Sequence, residues 1–155
     1  MKYYLHIPLI FALLFFNQIQ ADEKKPAALT WNNDVKQLLY DDDVKISDGS
    51  EFMSLVTPYR ALDAAIVPIT VNFKVDQKKN DYIKSLTLVV DENPSPIVGK
   101  FTFSTKMGNA SFTTRIRIDK YTYVRAIAEK NNGKKYMISN FVKAAGGCSA
   151  PSLAD

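Results

Sequence analysis

From residue 67 onward the chain alternates apolar and polar positions. Val67, Ile69, Val71, Phe73 and Val75 interleave with Pro68, Thr70, Asn72 and Lys74. A period of two sends one set of side chains to each face of a pleated strand, so this stretch predicts a half-buried strand. Pro68 lacks a ladder donor and places the start of that strand at an edge or bulge. The same alternation recurs at Leu86, Leu88 and Val90, at Ile97, Gly99, Phe101 and Phe103, and at Phe112, Thr114, Ile116 and Ile118. Further strands are predicted over 121–128 and 135–142. Polar turns separate them at 77–81, 93–96 and 108–109. Asn131-Asn132-Gly133 is the clearest hairpin signal, because asparagine and glycine accept positive φ.

Before residue 67 the period differs. Trp31, Val35, Leu38 and Leu39 recur at helical spacing, with Thr30 as N-cap and Asp34 in the first turn. They predict a helix over 31–40 laid on the body by its apolar face, Trp31 being a packing anchor. Asp41-Asp42-Asp43 stops the helix, and Asp48-Gly49-Ser50 makes a turn. These acids do not match a calcium loop, since Lys45 and Ile46 stand where a ligand and a glycine belong. An edge strand is predicted over 52–56. Thr57-Pro58 then favours a short helical turn over 59–63. Short alternating strands with frequent turns indicate an all-β antiparallel sandwich, here with one N-terminal helix and no internal repeat.

The chain has 155 residues and 46% hydrophobic content, enough for one domain with a compact core. The formal charge of +4 is modest and does not cluster as in a nucleic-acid binder. Arg115, Arg117, Lys120 and Arg125 alternate on one side of the strand pattern and read as the wet face of a sheet. Residues 1–21 read as an export signal: Lys2, an apolar run to Phe16, then a polar exit ending in Ala21. The run is short for a membrane span. Cleavage leaves a charged spacer over 22–28, no membrane segment, and a periplasmic protein. It also removes His6, the only histidine. A Cys-His nucleophilic pair, a C-x-x-C-H haem site and His-based zinc sites are then excluded, and no metal or cofactor is expected.

The only cysteine, Cys148, follows Gly146 and Gly147 in a run of small residues. Such composition behaves as a flexible linker, so 144–155 is expected to be an arm that offers a thiol some 20 Å from the body. No apolar side chains flank Cys148 to bury with it. A lone exported cysteine also fits an intermolecular disulfide, which makes a disulfide-linked dimer of a structural, protein-binding sandwich the alternative. An independent thiol enzyme is disfavoured, because the arm supplies neither a base nor oxyanion donors.

Three segments in order carry a resemblance. The tail Lys143-Ala144-Ala145-Gly146-Gly147-Cys148 resembles the end of SoxY, the sulfur-carrier subunit of bacterial thiosulfate oxidation. Residues 57–69, from Thr57-Pro58-Tyr59-Arg60-Ala61 to Val67-Pro68-Ile69, are similar to the segment that opens the SoxY sandwich. Their form is similar to the quinoprotein dehydrogenase-associated SoxYZ-like carriers, and Tyr123-Val124-Arg125-Ala126-Ile127-Ala128-Glu129 also fits. The resemblance implies an immunoglobulin-like sandwich over 29–143 that is not an enzyme. It would carry sulfur intermediates covalently on Cys148, with Gly146 and Gly147 in a swinging arm. It also implies a SoxZ-like subunit or fused domain as partner, with sulfur-oxidising or quinoprotein dehydrogenase enzymes as visitors. In SoxY two glycines follow the cysteine and the chain then ends; here Ser149–Asp155 follows, as in the linker of the fused branch. Either the chain is cut short or the SoxZ-like part is a separate protein. The quinoprotein-associated branch also leaves the cargo open beyond thiosulfate sulfur.

Overall fold

A computed structural model describes residues 31–144. Residues 1–30 and 145–155 lie outside it, and with them the expected signal, the spacer, Thr30, Gly146, Gly147 and Cys148. The described residues form two sheets. The larger has strand order β1-β8-β7-β4-β5: β1 Ile46–Asp48, β8 Lys135–Val142, β7 Thr122–Lys130, β4 Ile83–Val90 and β5 Ile97–Thr102. The smaller has order β2-β3-β6: β2 Met53–Val56, β3 Val67–Phe73 and β6 Phe112–Ile116. Every pairing is antiparallel except β1 with β8, which is parallel. The chain is thus the all-β, immunoglobulin-like sandwich that the alternation and the resemblance implied.

The core lies between the sheets. Val67, Ile69, Val71 and Phe73 of β3 face Leu86, Leu88 and Val90 of β4 and Val124, Ala126 and Ala128 of β7. β3 shows the alternation the sequence predicted, buried at each apolar position and more open between. Pro68 is not on an edge strand, for β3 is the centre of its sheet. It is tolerated because β2 pairs β3 only as far as Thr70, so at Pro68 the strand is paired on one side, with Arg115 of β6.

β4 departs from simple alternation: seven of its eight residues are buried. A second apolar cluster explains this, with Trp31, Val35, Val89 and Ile127 packed on the outer face of the large sheet. The N-terminal segment supplies the cover as a π-helical turn, Trp31–Val35, followed by α1, Lys36–Leu39. Trp31 is 5% exposed and is the anchor the sequence suggested. Leu38 is instead 66% exposed, while Leu39 packs on the cluster. Positions 31, 35 and 39 face the sheet, and the wider first turn carries Leu38 round to solvent. Burial of Trp31 contributes at most about 4–6 kcal/mol by area.

Beneath Trp31 is a buried ion pair. Arg125 donates from Nε and Nη2 to the two carboxylate oxygens of Asp91 at 2.8 and 2.7 Å. Both side chains are within 5% of full burial. The guanidinium carbon lies 4.8 Å from the Trp31 ring centre and 5.3 Å from that of Tyr123. Arg125 is therefore not part of a wet face, whereas Arg115, Arg117 and Lys120 are exposed. The strand pattern places all four outside the main core, but only the packing of the N-terminal segment shows which of them is covered.

The Asn131–Gly133 hairpin is present, with Gly133 at φ 80°. A Cβ there would meet nothing within 4 Å, so only the backbone resists a side chain. Gly133→Ala is expected to lower stability by about 1 kcal/mol, read from urea unfolding. A loss below a few tenths would mean that the hairpin changes turn type without strain.

At the same end, Lys84 Nζ donates to Glu129 at 2.8 Å, and Lys135 Nζ lies 3.4 Å from the same carboxylate. The Lys84 hydrogen bond holds the Glu129 carboxyl below its ordinary value of 4.5. A depressed acid stabilises the fold above its unfolded pKa and loses that contribution as pH falls through its folded pKa. The stability difference between wild type and Glu129→Gln is therefore expected at neutral pH and should shrink below pH 4.5. Urea unfolding at neutral and acid pH checks this; a pH-independent difference would assign the effect to packing.

Candidate functional site

The end of β8 defines the site. Packing into the core continues past the strand: Val142 and Ala144 are buried there at 0% and 1% exposure, and Lys143 between them is buried at 9%. Between them Lys143 is held by a two-bond clasp. Lys143 N–H donates to the Tyr59 carbonyl at 2.8 Å, and Ala61 N–H donates to the Lys143 carbonyl at 3.0 Å. Residues 59–61 therefore extend the sheet as a parallel bridge centred on Arg60 and Lys143. They do not form the helical turn expected from Thr57-Pro58. A helical turn satisfies its own backbone, but here the exposed edge of β8 offers partners instead.

Side chains reinforce the clasp. Lys143 Nζ lies 5.0 Å from the centre of the Tyr59 ring. Tyr59 is 6.5 Å from Phe141, and Phe141 is 5.4 Å from Tyr123 on the neighbouring strand. With Trp31 over Arg125 and Arg125 against Tyr123, aromatic rings and cations run across the outer face from the N-terminal segment to the end of β8. Cation–π contacts of this kind contribute about 0.5–1 kcal/mol each where exposed.

This geometry shortens the arm expected from sequence. Ala144, read there as the arm's first residue, has its side chain in the core. Four residue steps separate it from Cys148, a span of about 14 Å at full extension rather than 20 Å. Gly146, Gly147 and Cys148 themselves lie outside the described residues. The apolar repeat at Val142 and Ala144 was the available signal for the later anchor. Nothing local marked Tyr59 and Ala61 as its partners, since 81 residues of chain lie between Ala61 and Lys143.

Among the described residues no three His, Cys, Asp or Glu side chains come together as a metal site. The acidic stretch at 41–43 and 48 gathers no such cluster either; Asp48 accepts hydrogen bonds from the Ser50 hydroxyl and N–H. A groove of about 670 Å³ opens between β1, β2 and β8, lined by Ser47, Asp48, Ser54, Leu55, Ser139 and Asn140. Asn140 spans it, donating from Nδ2 to the Leu55 carbonyl at 2.7 Å.

The solved structure of the sulfur carrier protein SoxY from Chlorobium limicola f thiosulfatophilum superposes with a TM-score of 0.58 and 20% identity, over 76% of this chain and 93% of that one. A superoxide reductase (neelaredoxin) from Ignicoccus hospitalis superposes with a TM-score of 0.53 and 13% identity, over 59% of this chain and 79% of that one. At such identities each likeness shows the sandwich alone. No curated protein matches the sequence. The family described as "Sulfur oxidation protein SoxY" matches it over residues 36–148, from the N-terminal segment through both sheets to the cysteine. That match spans well over half of the sequence, and the chain belongs to the SoxY family of sulfur oxidation proteins.

Proposed function

We infer that this protein is an exported, periplasmic carrier that holds sulfur intermediates covalently on Cys148 and presents them to partner enzymes. The observation that carries the reading is the extent of the family match, which runs to residue 148, the only cysteine. The clasp at Lys143 supports it: the body is fixed up to Ala144, and three residues then lead to Cys148. A thiolate is the reactive form, and an ordinary cysteine has a pKa near 8.5. The body supplies the mounting, and each visited enzyme supplies the activation, so the protein acts as a carrier and not as a catalyst. Its partners under this reading are a SoxZ-like subunit and the sulfur-oxidising or quinoprotein dehydrogenase enzymes that load and unload the arm.

Intact mass of the protein purified from its native source, without reductant, tests the reading. A carrier shows added mass on Cys148 that a thiol reductant removes. A species of twice the chain mass, with no small adduct, would favour the disulfide-linked structural module instead. Bare thiol under every growth condition would remove the carrier reading.

A further inference from the structure

Seven large apolar side chains stand exposed among the described residues, and four of them fall within one short stretch: Val56 at the end of β2, and Tyr59, Leu62 and Ile66 in the loop that follows it. Scattered singly, exposed apolar residues carry no message; gathered in eleven residues they mark a contact surface. The loop is not slack. It is tied to the body at two points, by Ala61 N–H to the Lys143 carbonyl at 3.0 Å and by Ile118 N–H to the Ala64 carbonyl at 2.8 Å. Ala64 is buried, whereas Leu62 between the two ties is wholly exposed, at 105%. The two ties thus hold the backbone on either side of Leu62 to the body while its side chain stands in solvent. Asp63 fixes the bend, its carboxylate accepting from Ala65 N–H at 2.8 Å.

Tyr59 both anchors the end of β8 and belongs to this patch, and Leu62 directly follows the anchoring Ala61, so the patch lies beside the end of β8. We propose that this collar is the docking surface for the enzymes that react with Cys148. Length decides this, given the carrier reading above. The thiol can travel only about 14 Å from Ala144. An enzyme whose reacting group lies inside a cleft must therefore rest on the carrier within that radius, and the collar offers exposed apolar surface beside the clasp. The occupant is accordingly a protein with an apolar rim around a cleft no deeper than the arm is long. A collar of four apolar side chains is far smaller than a stable interface, which gives short-lived contacts suited to successive visits.

The test uses the full chain expressed in its native host, with Leu62→Glu/Ile66→Glu as the variant. Both positions are exposed, and thermal unfolding verifies the fold. Met107→Glu is the control: Met107 is also exposed, but it follows β5 at the end where Thr102 faces Ser85, Ser85 faces Glu129 and Glu129 faces Lys135. That is the start of β8, at the opposite end of the sandwich from the clasp. Intact mass follows adduct formation on Cys148, and alkylation by iodoacetamide reports the intrinsic reactivity of the thiol. Charges placed in the apolar contact are expected to slow adduct formation by about tenfold or more while alkylation is unchanged. Met107→Glu should load as wild type. Loading of the collar variant at the wild-type rate overturns the docking surface and leaves the carrier reading standing. Absence of adducts on the wild-type protein overturns both.

Discussion

Cys148→Ser is expected to give a folded protein that carries nothing. Serine keeps the size and removes the sulfur, so adduct mass should fall from its wild-type level to none. The packed side chains of the described body end at Ala144, and stability should stay within about 0.5 kcal/mol of wild type. The pairing of a complete functional loss with an unchanged unfolding curve separates a cargo site from a structural cysteine. Removing Gly146 and Gly147 together tests the tether in the same assay. It halves the span from Ala144, to about 7 Å, and leaves the thiol in place. Small reagents should still alkylate that shortened arm, but enzyme-dependent loading should fail. Adducts that persist on Cys148→Ser would place the cargo elsewhere.

Asp91→Ala should be the most damaging single change in the body, at about 3–5 kcal/mol. It leaves the Arg125 guanidinium buried beneath Trp31 with none of its carboxylate bonds. A domain of this size has only about 5–15 kcal/mol in total, so the melting temperature should fall by more than about 10 °C. The double variant Asp91→Ala/Arg125→Met should recover most of the loss, because it removes the charge together with its partner. Thermal and urea unfolding of the two variants check this. Equal damage in both would mean that Arg125 acts through packing against Trp31 and Tyr123 and not through its charge.

The ion pair also marks the boundary of what strand patterns reveal. Arg125 alternates with Val124 and Ala126, which places it opposite the main core and suggests solvent. It is buried because a segment some ninety residues earlier lies across that face. The same cover buries Val89 and Ile127 and turns β4 into a strand covered on both faces. β1 was hidden for a related reason. Three residues are too few to show a period, and they form a strand only because the edge of β8 is there to pair with. The segment 59–61 is a third case, where local capping chemistry favoured a helical turn and the open edge of β8 decided otherwise.

By itself the sequence determined the sandwich, its longer strands, the Asn131–Gly133 hairpin and Trp31 as an anchor. It also singled out Cys148 behind two glycines, through composition and through a resemblance that the family match bears out at the level of SoxY. These are local matters, settled by periods of two, turn chemistry and side-chain size. Only the tertiary structure decided how far past β8 the packed chain runs, which charge is buried, and which loop pairs with Lys143. Each of these depends on backbone groups and faces brought together from distant parts of the chain, and no short window of residues contains both partners.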